Sequence, residues 1–523
     1  MGVAFIEAHE VPPLLKDGDI IGIEGFIGAG AAEEIYEAIG PHNQAHQTPK
    51  NQTLLYTAGI GDGKDRGINQ LAQEGLLKRV IAGHWGLSPK LQPLVSDNKI
   101  EAYNFPQGVM AQMYREMAAG KEYLFSKVGL DTFVDPDIVG GKLNDITTEE
   151  LVSKVNIKGQ DLLAYSLVTP NVAILRGTYA DERGNIAFDD EVLTLGNTSL
   201  ATAVKNNGGM VIVQVKRKVT QGSLDPKLVK IPGLLVDYVV EVSDESKHMQ
   251  TYGTMFNSDF IKSSANQGTS QETLPLTDRK IIARRSAQLI PEEAKIVNYG
   301  IGVPEMISAV LKEEGRNEQY TTTIEPGSFG GIPVGGMDFG AAISPDAIID
   351  QAYMFDFYDG GGIDIAFLGL AECDREGNIN VSKFGPKIAG AGGFINITQS
   401  TKHVVFCGTF TAGGLKTDVK NEQLQILSEG KQSKFVETVE QVTFSGKRAM
   451  KNGQKVYYVT ERAVFQLTEK GVELIEIAPG INLERDVLAQ MAFEPLISDK
   501  LKEMDAAIFK ESRASQKRAL QSE

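Results

Sequence analysis

A short pattern that occurs twice constrains this chain more than any other feature. Asp181-Glu-Arg-Gly-Asn-Ile186 and Asp374-Arg-Glu-Gly-Asn-Ile379 share the form Asp-x-x-Gly-Asn-Ile, at an offset of 374 − 181 = 193 residues. The apolar runs Val211-Ile-Val213 and Val404-Val-Phe406 keep that offset, 404 − 211 = 193. Nearer the start, Gly28-Ala-Gly-Ala-Ala-Glu33 resembles Gly300-Ile-Gly-Val-Pro-Glu305, with 300 − 28 = 272. A repeat of this length means one supersecondary plan used twice. Within each copy, short β-branched runs alternate with helical stretches, which calls for open α/β domains with mainly parallel sheets. The predicted organisation is an N-terminal α/β domain over 1–242, a polar linker over 243–277 and a similar C-terminal domain over 278–523.

The chain has 523 residues, of which 42% are hydrophobic, enough to fill two cores. A net charge of -16 argues against generic binding to nucleic acid or anionic membranes, which favour basic faces. The two cysteines, Cys373 and Cys407, lie in apolar runs and read as buried free thiols of a reducing compartment. With six scattered histidines they form no metal-ligand spacing, so no metal is predicted. The start lacks the basic and apolar regions of a signal peptide, and no apolar run reaches ~20 residues. A cytoplasmic chain is the expectation.

Two stretches invite chemistry. Residues 19–24 read as a strand, followed by Gly25, Gly28 and Gly30 and a helix from about Ala31. Such a loop and helix start can hold an anion on its backbone N–H groups. The second stretch is Ile324-Glu-Pro-Gly-Ser-Phe-Gly-Gly-Ile-Pro-Val-Gly-Gly-Met-Asp-Phe-Gly340. It places the carboxylate of Glu325 where a Thr-rich strand gives way to glycines, an arrangement suited to a nucleophile or, equally, to a surface turn. The corresponding strand of the first copy ends at Thr57, so one half carries a carboxylate and the other does not. A site in the crevice between such halves is the general expectation. Gly83-His-Trp-Gly86 reads as core packing, and Lys216, Arg217 and Lys218 as a solvated strand end.

Several motifs carry a family resemblance. Ile-Glu325-Pro-Gly-Ser-Phe-Gly-Gly, Phe355-Asp-Phe-Tyr-Asp-Gly-Gly-Gly and Gly390-Ala-Gly-Gly-Phe-Ile-Asn-Ile resemble the family I coenzyme A-transferases. Within that family the single-chain acetate or propionate type is most similar, and blocks such as Gly61-Asp-Gly-Lys-Asp-Arg-Gly and Tyr103-Asn-Phe-Pro-Gln-Gly extend the likeness along most of the chain. Ketoacid-specific relatives carry Ser-Glu-Asn-Gly where this chain has Ile-Glu325-Pro-Gly, which disfavours a dedicated 3-oxoacid enzyme. The family's N-terminal signature prefers Gly-Gly-Phe, where this chain has Glu24-Gly25-Phe26.

The resemblance implies short-chain acyl-CoA:carboxylate exchange through a covalent glutamyl-CoA thioester on Glu325. Coenzyme A is then a substrate and covalent intermediate, no cofactor is bound permanently, and the partners are acyl-CoA and carboxylic acids. No general base is needed, since a carboxylate is ionised at neutral pH. An oxyanion hole is expected at Gly390-Ala-Gly-Gly-Phe394, with Gly392 its foremost donor. Gly300, Ile301, Gly302, Val303, Gly390, Gly393 and Lys387 are the candidate coenzyme contacts, with Lys383 and Lys402 as further candidates for its phosphates. Relatives imply a homodimer or homotetramer. An acyl-CoA hydrolase using the same Glu325, and a catalytically idle α/β binding protein, are the competing readings.

Overall fold

A computed structural model describes residues 2–263 and 274–511. Residues 264–273 of the expected linker lie outside the described residues. The chain divides into two compact units. Among the described residues, the first gathers 2–263, 324–357 and 383–396, and the second gathers 274–323, 358–382 and 397–511.

The first unit is built on a parallel sheet. Its strands are β1 (Ala4–Ile6), β2 (Ile20–Ile23), β3 (Gln52–Tyr56), β4 (Leu77–Ala82), β5 (Glu101–Asn104), β6 (Val172–Asp181), β7 (Met210–Val219) and β8 (Tyr238–Glu241). They lie in the order β1-β8-β7-β6-β2-β3-β4-β5, every neighbouring pair parallel. Successive side chains of a strand point to opposite faces. Ile21, Ile23, Leu54, Tyr56 and Ile174 accordingly enter one buried cluster. Leu55, Ile81, Leu175, Val211 and Val213 enter the other. Both faces being covered explains why these strands read as continuous apolar runs rather than as alternating ones. Helices α1 (Glu33–His46), α2 (Gln107–Ala118) and α3 (Asn197–Asn206) accompany the sheet. A separate antiparallel sheet joins Tyr123–Ser126, Gln160–Ser166 and Val152–Ile157.

The second unit holds α4 (Asp278–Ala287), β9 (Ile296–Tyr299), α5 (Glu305–Glu313), β10 (Thr321–Ile324), β11 (Ile365–Gly369), β12 (His403–Cys407) and β13 (Lys455–Val459). Its sheet runs β10-β9-β11-β12-β13 in parallel. It continues through β14 (Ala463–Thr468) and β15 (Gly471–Ile477), both antiparallel to their predecessors, to β16 (Leu496–Glu503). The run β3-β2-β6-β7-β8 of the first unit and β10-β9-β11-β12-β13 of the second have the same order, which is the structural content of the repeat.

The repeated hexapeptide forms the same turn in both units. Asp181 Oδ1 accepts the N–H of Arg183 and of Asn185, each at 2.9 Å. Asp374 Oδ1 accepts those of Glu376 and Asn378 at 3.1 and 3.0 Å. The asparagine of each turn returns a bond to its aspartate and accepts a distant glycine N–H: Gly233 for Asn185, Gly446 for Asn378. Gly184 and Gly377 have φ near +80°, a conformation that side chains disfavour. The Asp, Gly and Asn of the motif therefore each have a bond or a backbone angle to supply.

Candidate active site

Four parallel strands of the first unit end side by side, followed directly by Glu24, Thr57, Gly83 and Phe105. The crevice outside the carboxyl ends of an open α/β sheet is where such folds bind ligands. Two segments from later in the chain come to this edge. Residues 389–392 are held by backbone bonds: Trp85 N–H to Ala389 O at 2.8 Å, Gly392 N–H to Gly83 O at 2.8 Å, and Gln107 N–H to Gly392 O at 2.9 Å. Asn104 Oδ1 accepts the N–H of Ala391 at 2.8 Å, while its Nδ2 donates to the carbonyls of Ala82 and Gly83. The other segment runs from Ile324 to Gln351. Ile324 is buried in the same cluster as Ala58, Ile60 and Trp85. Ile349 donates its N–H to Gly327 O at 2.9 Å, and Thr57 Oγ1 lies 3.1 Å from Gln351 Oε1.

Glu325 follows β10 directly, as the Thr-rich run requires. Its side chain is partly exposed, and among the described residues no other side chain pairs with it. Burial pushes its carboxyl up to about 7, against a smaller pull from its own backbone N–H. Among the described residues no cation offsets that burial, so ionisation of the acid is held back from the usual carboxylate range.

Gly390 and Gly392 sit in the turn against β4. A Cβ on Gly390 would press on His84 Cα and the Trp85 N–H, both 3.0 Å away. The N–H of Gly392 is engaged with Gly83. Gln107, which sequence reasoning did not single out as a donor, is 2% exposed, and its Nε2 has no partner among the described residues. Gly392 is its neighbour, a Cβ there lying 3.7 Å from Gln107 Oε1. The signal for it was the strand-end sequence Asn104-Phe-Pro-Gln107, a polar residue starting a helix at the carboxyl edge. Trp85 is core, as read. His84 is only partly covered, stands by Gly59 and Gly392, and burial drives its imidazole down to about 4, so it is neutral.

Gly300–Val303 connect β9 to α5 in the second unit. The Gly300 N–H bonds Phe367 O at 2.8 Å, and Ile301 is 61% exposed. Lys387 is exposed on a small hairpin, Lys383–Phe384 against Lys387–Ile388.

The first glycine loop does not offer the anion site its pattern suggests. α1 starts at Glu33, two residues later than expected, and its N-terminus is filled from within. Gln214 Oε1 accepts the N–H of Glu34 and of Ile35 at 3.0 and 3.4 Å. Glu33 accepts from Gly67 N–H and from Tyr252 Oη at 2.6 Å, and Glu34 from Ser243.

These features meet a clear likeness among known proteins. A family model described as Coenzyme A transferase matches residues 8–242. The caffeate CoA-transferase of Acetobacterium woodii is 45% identical over 512 residues, covering 97% of each chain. The acetate CoA-transferase YdiF of Escherichia coli strain K12 is 44% identical over 488 residues, 92% of this chain and 91% of that one. The crystal structure of the YdiF apoenzyme from Escherichia coli O157:H7 superposes with a TM-score of 0.92 at 41% identity, covering 98% of this chain and 97% of that one. A thioester complex of the same enzyme with CoA also gives 0.92. The chain belongs to the coenzyme A-transferase family. It is a CoA-transferase with coenzyme A as a substrate, and no helix among the described residues is long and apolar enough to cross a membrane.

Proposed function

We propose that this protein exchanges CoA between short-chain acyl-CoA and carboxylic acids by way of a thioester on Glu325. The observation that carries the reading is Glu325 itself: a carboxylate at a strand end, unpaired, partly open, and poorly stabilised by its surroundings. Burial without a counter-charge makes the ionised form more reactive than a solvated one, the same effect that raises its pKa.

The chemistry balances without any added proton donor. Glu325 carboxylate attacks the acyl-CoA carbonyl carbon, the C–S bond breaks, and CoA leaves as thiolate from a mixed anhydride. The thiolate attacks the Glu325 carbonyl carbon and the first acid departs as carboxylate. An acceptor carboxylate attacks the glutamyl thioester, thiolate leaves again, and its attack on the acyl carbon yields the new acyl-CoA and free Glu325. Each addition builds an oxyanion that needs a donor. The unspent Nε2 of Gln107, beside Gly392, is the group we assign to that role, with the turn at Gly390–Gly393 holding it in place. Gly300–Val303, Lys383, Lys387 and Lys402 stay our candidates for the coenzyme's pantetheine and phosphates. Acetate, propionate, butyrate, lactate or acetoacetate are the candidate acids, with no preference among them assigned. The thioester complex of the Escherichia coli relative supports the covalent scheme. A cytoplasmic homodimer or homotetramer completes the proposal.

The test is direct. Incubation with an acyl-CoA and no acceptor should add CoA to the protein at Glu325, in a form that borohydride reduces. An unchanged intact mass, with no borohydride-sensitive residue, overturns the reading. Free CoA released steadily without an acceptor identifies a hydrolase instead.

A further inference from the structure

One arrangement at the sheet edge is not used by the steps above. Thr57 Oγ1 lies 3.1 Å from Glu24 Oε2 and 3.1 Å from Gln351 Oε1. A hydroxyl carries one hydrogen, so it donates to only one of two acceptors. With Gln351 presenting its carbonyl oxygen, the second contact needs a hydrogen on Glu24. The surroundings suit a neutral acid. Glu24 and Gln351 are both fully buried, and no cationic side chain pairs with Glu24 among the described residues. Thr57, just after β3, and the N–H groups of Gly25 and Gly196 face it, with the Asp350 carboxylate and the Tyr36 and Tyr114 phenols nearby. Desolvation outweighs these donors and pushes the carboxyl up to about 8.

We propose that Glu24 is a protonated positioning residue: its O–H donates to Thr57, Thr57 donates to Gln351 Oε1, and the fixed amide offers its Nε2 hydrogens to a carbonyl or carboxylate oxygen of the acyl substrate. Gln351 Nε2 has no partner among the described residues. A buried donor left unpaired is costly, so a ligand that satisfies it is favoured. Backbone bonding brings its segment to the Glu325 turn: Gln351 lies two residues beyond Ile349, whose N–H bonds Gly327 O, and Gly327 lies two residues beyond Glu325.

This inference rests on the transferase reading but is tested partly without it. Infrared difference spectra of the parent and Glu24→Gln at neutral pH should show a protonated-carboxyl C=O band in the parent alone, fading near pH 8. Absence of that band overturns the proposal, because Thr57 would then donate to an ionised Glu24 with the Gln351 amide reversed. In exchange assays, Glu24→Leu and Thr57→Val should each raise KM for the acceptor acid about tenfold, the worth of one hydrogen bond. The parent should show an alkaline loss, its acid KM rising above about pH 8 as Glu24 ionises, whereas Glu24→Gln, whose amide N–H replaces the O–H, should recover the acid KM near neutral pH and abolish that loss. A Gln variant as impaired as the Leu variant, or one that keeps the alkaline loss, overturns it. Loss of the CoA adduct at Glu325 would instead sink the transferase scheme while leaving the infrared band in place.

Discussion

Gly83 and Gly392 are joined by a 2.8 Å hydrogen bond that fastens the glycine turn to the end of β4. The same Gly83 leaves no room for a side chain: a Cβ there would overlap the Thr57 carbonyl oxygen and come within 3.2 Å of Gln107 Cα. Gly83→Ala should destabilise the protein by about 1–3 kcal/mol through overpacking and displace both Gln107 and the turn. Thermal unfolding and exchange assays should both register the change. A variant with parent stability and rate would show the contact to be soft.

Glu325→Ala should abolish CoA capture and exchange yet fold normally. Intact-mass analysis and circular dichroism separate the two effects. Exchange near the parent rate would place the nucleophile elsewhere.

The pH profile follows from the raised acid. Exchange should rise as pH passes through about 7, where Glu325 ionises. The stability effect has the opposite sign. A folded pKa above the unfolded value of 4.5 means that the charged form is penalised above about 7 and the penalty is relieved as pH falls through 4.5. The shift corresponds to at most about 3 kcal/mol. Glu325→Gln should therefore melt higher than the parent at pH 8, and the gap should close by pH 4.5. A gap that does not vary with pH would contradict the assignment.

Gln107→Leu should lower kcat by ~10²–10³, the usual loss for one oxyanion donor. A rise in KM for acyl-CoA with kcat intact would instead make Gln107 a ground-state contact.

Arg176 binds Glu191 through two nitrogens, at 3.2 and 3.0 Å, with both side chains buried. That guanidinium and the His248 ring hold the Glu191 carboxyl down to about 2 against desolvation. Arg176→Met should cost about 3–5 kcal/mol, because it strands a buried charge. The part contributed by Glu191 is present above pH 4.5 and is lost as pH falls toward 2. Denaturant melts at pH 7 and pH 3 should show the mutational cost shrinking in acid.

The paired motifs were legible because each of their residues acts locally. Asp181 and Asp374 accept two N–H groups apiece, and the glycines need φ near +80°. The parallel sheets followed from runs buried on both faces. Glu325 stood out because its partner position in the first copy is Thr57. Other parts were hidden because they depend on distant chain. Nothing near Glu33 in sequence announces that Gln214 occupies the start of α1. Segment 243–263 reads as linker from its polar composition, yet His248, Gln250 and Thr251 are buried, each bonded to residues far away. Segments 324–357 and 383–396 join the first unit although they lie late in the chain, which no local pattern encodes. Gln107 and Gln351 look ordinary until burial leaves their amide nitrogens without partners.

Because α1 already holds glutamates and a glutamine amide at its leading turn, small free anions have nothing to displace there. Inorganic phosphate and nucleotides should pass that helix by, and any competition they offer must arise where the coenzyme itself docks. An internal plug of this kind lets an acidic enzyme keep a glycine loop for close packing without also creating a trap for every phosphate in solution.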